Sequence, residues 1–244
     1  LVQAALRDRS PAEIRRFVRG LTGADQELYD YLAEEVVGDL PGDLQQFLMQ
    51  TSILQVVTQE LAIVVTGMDA EDVVRLTAAA ERLTLLGRRA GGPRTQLRYH
   101  PLVREFLESR LDRDIGAASV RALHERVGRY AERSDWRTAA HHYSMAGDRA
   151  RAYDVIDGAA QDIVAKGEYS LTEAYLPNAD EGVERASFEV LRSRREFKQG
   201  DVAGALKRAR RAVELEPTSS IALINLASLA YNVGEFDLSM DLSR

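Results

Sequence analysis

Four histidines and no cysteine limit the metal and nucleophile chemistry open to this chain of 244 residues. Without a thiol it has no disulfide, cysteine nucleophile or thiolate zinc site. His141 and His142 are adjacent, so on a helix their side chains point about 100° apart and cannot chelate one ion together. We expect them to be a partly exposed surface pair. His124 has no partner at metal-ligand spacing, and the carboxylates are scattered, so the sequence predicts neither a metal site nor a catalytic carboxylate pair.

Composition and motifs exclude further classes. The chain has 32 Lys and Arg against 38 Asp and Glu, which removes the simple case for a basic nucleic-acid-binding domain. No apolar run approaches the roughly 18 residues that span a bilayer. The dipeptide Gly-Lys is absent, so there is no G-x-x-x-x-G-K-[ST] phosphate loop. We expect a cytoplasmic protein without membrane contact or enzymatic activity, and its start in mid-helix predicts a fragment.

The elements that must position any site are mostly helices, because apolar residues recur at spacings of three and four. A capping box at 10–13 opens the first of two helices, and residues 1–38 are interpreted as the helical arm of an upstream domain. In the next segment, three short helices begin at Pro41, Thr58 and Asp69, and Asp69 is the predicted N-cap of the third. The runs 83–89 and 95–99 flank Gly91-Gly92, which predicts a β-hairpin, and a helix follows as far as Leu111. Residues 39–113 therefore predict a winged-helix domain.

The charges of this winged helix argue against DNA binding. Residues 38–112 hold eight arginines and ten acidic residues, and phosphate neutralisation supplies most non-specific DNA affinity. The third helix carries only Arg75 and Arg82 as cations, although the hairpin is positive. A packing and regulatory module is the favoured interpretation, and DNA contact by the wing is the alternative.

Beyond residue 117 the sequence predicts helical hairpins, and in the first helix, from Val120 to Arg133, we expect Leu123, Val127 and Tyr130 to face inward. Alanines mark close helix contacts and Gly-Asp pairs mark turns, the pattern of an α-solenoid. Similar residues stand 34 apart, the tetratricopeptide period: Phe197 and Tyr231, Gly200 and Gly234, Asp201 and Glu235. We therefore predict a mostly α fold, with a winged-helix domain and small β-hairpin followed by a tetratricopeptide-like superhelix at 118–244.

Four segments in order resemble the MalT-type large LuxR regulators, which belong to the signal-transduction ATPases with numerous domains. The segments are 17–23 (FVRGLTG), 31–36 (YLAEEV), 47–54 (FLMQTSIL) and 99–107 (YHPLVREFL).

This resemblance implies a regulatory and sensor fragment of an ATP-dependent transcriptional regulator. An upstream ATPase domain would bind ATP or ADP, and DNA would be bound by a domain outside this chain. Inducer or a protein partner would bind the concave solenoid face, and activation would allow oligomerisation. The alternative is a stand-alone tetratricopeptide-like scaffold for protein interactions.

The same resemblance implies a nucleotide-sensing role for His100. Its position resembles the histidine of a Met-His-Asp motif that contacts the β-phosphate of ADP, although Tyr99 and Pro101 replace the flanking residues. An imidazole N–H can donate to phosphate and titrates near neutral pH, and a helix start attracts anions. The competing interpretation is a histidine that caps its helix and packs the wing.

A basic cluster lies in the repeats. It could meet an acidic partner, although helical solenoids often carry such faces. Its members are Arg194, Arg195, Lys198, Lys207, Arg208, Arg210 and Arg211.

Overall fold

The computed structural model describes residues 37–88, 96–178 and 182–242. The chain divides into two compact units, Leu1–Val127 and Gly128–Arg244. Almost all of the predicted arm at 1–38 and the Gly91-Gly92 turn lie outside the described residues. The domain boundaries predicted from sequence stay a prediction.

The first unit begins its described part with three helices: α1 (Gly42–Thr51), α2 (Gln59–Thr66) and α3 (Ala70–Arg82). The side chain of Thr58 accepts a hydrogen bond from the backbone N–H of Leu61 and caps α2. Asp69 accepts one from the N–H of Asp72 at 2.8 Å. The predicted N-cap of α3 is therefore confirmed, and each cap satisfies a donor that the helix itself leaves unpaired.

A short antiparallel hairpin follows, with β1 at Leu86–Arg88 and β2 at Leu97–Tyr99. Both strands are shorter than the sequence pattern suggested. Val57, just before α2, exchanges two backbone hydrogen bonds with Leu97, so the hairpin is tied to the helices. The predicted mostly α fold with a β-hairpin is confirmed.

Helix α4 (Pro101–Ala131) closes the winged helix and is interrupted at Gly116. The sequence predicted one helix as far as Leu111 and another from Val120. Gly116 takes φ 76° and ψ 154°, a backbone conformation that is open to glycine and strained for other residues. The glycine therefore sets the break between the two predicted helices.

One core of large aliphatic and aromatic side chains fills the first unit. Phe47 and Leu48 of α1 are completely buried, and so is Leu107 of α4. Leu123 and Val127, beyond the break in α4, belong to the same core. The predicted inward positions of these two are confirmed, but Tyr130 was wrongly predicted to face inward and is 50% exposed.

The second unit is built of helical hairpins with successive helices packed together. Gly200 and Gly234, which stand 34 residues apart, take φ 89° and 85° at equivalent positions between paired helices. Only glycine adopts this left-handed region at little cost. The helices are α5 (Trp136–Ala146), α6 (Arg149–Ala165), α7 (Ala186–Lys198), α8 (Val202–Leu215), α9 (Ser220–Asn232) and α10 (Phe236–Leu242), with a 3₁₀ turn at Tyr169–Thr172.

Small residues let the helices of this unit approach closely. Ala205, Ala209 and Ala212 of α8 are completely buried. The apolar side chains form several separate clusters, unlike the single core of the first unit. Between them lies a polar bridge, in which Asn225 donates to Ser193 at 3.0 Å and Ser193 donates to the carbonyl of Ala205 at 2.8 Å.

Candidate functional site

The structure places His100 between β2 and α4, exposed to solvent. Its carbonyl oxygen accepts the backbone N–H of Arg104 at 3.0 Å, so the residue begins the hydrogen-bond ladder of α4. The expected position at a helix start is therefore confirmed. The nucleotide contact stays a prediction.

The residue before it, Tyr99, is buried and anchors β2 to α1. Its hydroxyl lies 2.5 Å from the hydroxyl of Thr51 and donates to the carbonyl of Leu48 at 3.2 Å. Burial raises the pKa of this phenol far above its usual range, although the hydrogen bond to Thr51 acts in the opposite direction. Sequence reasoning missed this anchor. The signal was the apolar alternation along β2, which buries Leu97 and Tyr99 and exposes Arg98.

Arg104 makes a second clamp one turn into α4. Its Nε donates to the carbonyl oxygen of Ser52 at 3.1 Å and to Oε1 of Glu108 at 2.8 Å. The end of α1 and the first turn of α4 are thereby joined. His100 is presented from a backbone fixed on both sides, which is the support that a precise contact requires.

One cation of the third helix and one of the wing bind neighbouring carboxylates. Arg75 of α3 pairs with Asp43 at 3.0 Å and Asp72 at 2.8 Å. The hydrogen bond from Arg75 lowers the pKa of Asp43. Arg88 on β1 pairs with Glu81 at 3.0 Å. Such pairing leaves less positive charge for DNA phosphates, so it favours the packing interpretation. Arg89 and Arg94, which the sequence assigns to the wing, lie outside the described residues.

Two of the other histidines are buried. His142 is 2% exposed and His124 is 5% exposed, so the predicted partly exposed pair at 141–142 is wrong for His142, whereas His141 is half-buried as expected. Its position on α5, three residues after the buried Ala139, places it on the packed face. Among the described residues, no three His, Asp or Glu side chains come close enough to hold a metal ion, and no helix is long and apolar enough to cross a membrane.

A surface groove runs along α9 and reaches α10, with a volume of 580 Å³. Leu223, Ile224 and Tyr231 line it. Ile224 is 62% exposed and Tyr231 is 65% exposed, and the Tyr231 ring packs edge-on against Phe236 with centroids 5.5 Å apart. The lining also includes polar residues such as Ser228 and Asn232, so the groove combines apolar and polar surface.

Most of the basic cluster is neutralised within the unit. Arg195 pairs with Glu173 at 2.7 Å, Arg208 contacts both Glu189 and Glu196, and Arg210 and Arg211 also have carboxylate partners. Within the described part of the chain, Arg194, Lys198 and Lys207 have no such pair. The sequence could show the cluster, but only the structure separates paired from unpaired cations.

A segment of the first unit matches a known domain family. Residues 33–119 match the MalT winged helix domain family, in agreement with the helices, hairpin and closing helix described above. The MalT-like resemblance found in the sequence is therefore confirmed for this segment of the chain.

Two kinds of relative are similar to this chain. The chain is 32% identical over 155 residues to the serine/threonine-protein kinase PknK of Mycobacterium tuberculosis, a match that covers 63% of the chain and 14% of the kinase. It is 27% identical over 170 residues to the HTH-type transcriptional regulator MalT of Cronobacter sakazakii, which covers 67% of the chain and 18% of that regulator. The chain thus spans less than a fifth of either relative.

Proposed function

We propose that this chain is the regulatory and sensor region of an ATP-dependent, MalT-like transcriptional regulator. In this role it couples the nucleotide state of an ATPase domain, and the binding of an inducer or partner, to activation. The observation that carries the proposal is the MalT-type winged helix, which presents an exposed His100 from a clamped strand–helix junction.

The two kinds of relative support a regulatory role. One relative is named as a protein kinase and the other as a transcriptional regulator, so their outputs differ although both contain a region similar to this one. A region that accompanies different outputs is better suited to control than to catalysis. Accordingly, this chain has no catalysis of its own, and DNA binding belongs to a domain outside it.

Each unit has a part in the proposed switch. His100 donates from its imidazole to a phosphate of ADP held mainly by the upstream ATPase domain, and the Tyr99 and Arg104 clamps carry that contact into the winged-helix core. The helical repeats bind the inducer or protein partner. Activation allows oligomerisation of the full polypeptide, which is cytoplasmic.

Two observations test this function. The coding sequence should hold a phosphate loop upstream and a helix-turn-helix downstream. In the polypeptide that includes the ATPase domain, His100→Ala should speed ADP release about tenfold or more, because a hydrogen bond to a charged group contributes roughly 1.5–3 kcal/mol. Arg98→Ala, an exposed neighbour on β2, is the matched control. Unchanged ADP release in His100→Ala would exclude the sensing role.

A second candidate is a protein-interaction scaffold, favoured by the groove along α9 with its exposed Ile224 and Tyr231. The absence of a phosphate loop from the full coding sequence would favour the scaffold over the switch.

A further inference from the structure

Arg194 on α7 differs from its neighbouring arginines because no described residue supplies it with a counter-charge. Arg192, two residues before it, pairs with Glu189 at 2.6 Å, and Arg195, one residue after it, pairs with Glu173. Arg194 is half-buried, and its Nε atom is fully buried without a hydrogen-bond partner. Burial lowers the pKa of this guanidinium, which indicates a cation deprived of water and of a matching anion.

The two carboxylates that flank the 3₁₀ turn are engaged by other residues. Glu168 and Glu173 lie on either side of this turn, which carries Tyr169, a side chain that interacts electrostatically with Arg194. Glu168 accepts hydrogen bonds from Trp136 at 3.3 Å and Arg137 at 3.2 Å. Glu173 is held by Arg195. Neither carboxylate forms an ion pair with Arg194 in the described part of the chain.

Lys198 supplies a second cation on the same face of α7. It lies four residues after Arg194, so the two side chains project from the same side of the helix. The Lys198 Nζ sits 5.7 Å from the centroid of the Tyr169 ring, and within the described residues it has no ion pair. Arg194 and Lys198 thus share one face of α7, and Lys198 lies over the Tyr169 ring.

We infer that Arg194, Lys198 and Tyr169 form a binding site for the phosphate group of a phosphate monoester. A phosphate monoester carries a charge of about −1.5 to −2 and three acceptor oxygens, which matches two unpaired cations. The arginine offers a planar fork to two of these oxygens and the lysine offers a mobile point charge. A single carboxylate would leave one of the two cations without its counter-charge.

The test is a titration of the intact protein with inorganic phosphate, observed through the Nε–Hε NMR signal of Arg194. The signal should shift and saturate with phosphate, but not with chloride at equal ionic strength. Lys198→Met should weaken the affinity at least threefold, and Arg194→Met should abolish the saturable response seen in the remaining signals. Arg210→Met is the matched control, because Arg210 is exposed and already pairs with Glu235 at 3.2 Å.

A stability measurement separates a binding role from a structural one. Replacing an unpaired, partly desolvated charge by an apolar side chain of similar length is often neutral or stabilising. In phosphate-free buffer, Arg194→Met should therefore melt at the same temperature as the parent protein or higher. A clear fall in melting temperature would assign Arg194 a structural role and overturn the site, as would equal binding of acetate.

Two phosphorylated probes then identify the source of the phosphate. Equal affinities for free O-phosphoserine and for the tripeptide Gly-phosphoserine-Gly indicate a small phosphorylated ligand. At least tenfold tighter binding of the tripeptide indicates a phosphorylated segment of a protein. Failure of both probes and of inorganic phosphate to bind saturably would overturn the proposal.

Discussion

The two units bury their apolar side chains in different ways. The first unit has one continuous core of large residues from Val37 to Val127, whereas the second divides its interior among several clusters rich in alanine. A single core ties all its elements to one cooperative transition, while stacked hairpins are stabilised mainly by their nearest neighbours. The first arrangement suits a rigid platform for His100, and the second suits a surface that adapts to a ligand.

The largest loss of stability is expected when a large side chain is removed from the single core of the first unit. Phe47→Ala should cost about 3–5 kcal/mol of unfolding free energy, because the side chain is completely buried and leaves a cavity. Hydrogen exchange should show lower protection throughout the described part of the first unit. The matched variant is Phe188→Ala in the second unit, whose loss of protection should be concentrated in α5, α6 and α7. Uniform loss across both units in both variants would contradict the contrast between them.

The next largest loss of stability is expected when the polar bridge between helices of the second unit is broken. Ser193→Ala should cost about 1–3 kcal/mol, because it leaves the buried amide of Asn225 without its hydrogen-bond acceptor. Urea unfolding measures the difference. Ser228→Ala, on the half-buried side of α9, is the control and should change stability little. Equal effects of the two variants would show that the bridge adds nothing.

The third prediction concerns Tyr99 and pH. An unfolded tyrosine loses its proton near pH 10, but burial keeps folded Tyr99 neutral to higher pH. The unfolded chain therefore binds fewer protons above pH 10, and stability falls by about 1.4 kcal/mol per pH unit from this residue. Tyr99→Phe should lose about 1 kcal/mol at pH 7 for its hydrogen bonds and show a shallower decline above pH 10. Urea unfolding at pH 7, 10 and 11 measures the unfolding free energy of both proteins. The same decline with pH in the parent protein and in Tyr99→Phe would contradict the burial argument.

Two glycine substitutions within the repeats should change stability in opposite directions, and the smaller of these two effects is the smallest expected here. Gly200→Ala should cost about 1–2 kcal/mol, because φ is 89° and alanine is strained there. Gly158→Ala should gain about 0.5–1 kcal/mol, since Gly158 lies inside α6 with open space around a Cβ. Thermal unfolding of both variants checks the signs. A loss of stability in Gly158→Ala would contradict the assigned helical geometry.

Most of the fold could be predicted from the sequence, because it depends on interactions between residues that are close together in the chain. The caps of α2 and α3, the hairpin and the repeat glycines each depend on residues close together in the chain, so spacing alone predicts them. Tyr130 and His142 were misplaced because a helix pattern gives a face but not which side meets the neighbouring helices. In an alanine-rich helix the apolar face is broad, and the choice depends on tertiary packing.

The candidate sites were harder to predict for the same reason. His100 was found by its place before a helix, yet its support from Thr51 and Ser52 comes from residues about 50 positions away. The basic cluster was visible, but the pairing of each arginine depends on carboxylates from other helices. Long-range contacts of this kind leave no short-range pattern.

The most direct test of the account is hydrogen exchange at the His100 junction in the polypeptide that includes the ATPase domain. If His100 contacts the bound nucleotide, the backbone amides of segment 97–104 should exchange at different rates in the ADP-bound and ATP-bound proteins. The amides around Phe47 should exchange at the same rate in both. His100→Ala should remove the difference. Identical exchange of segment 97–104 in the two nucleotide states would contradict the proposed coupling.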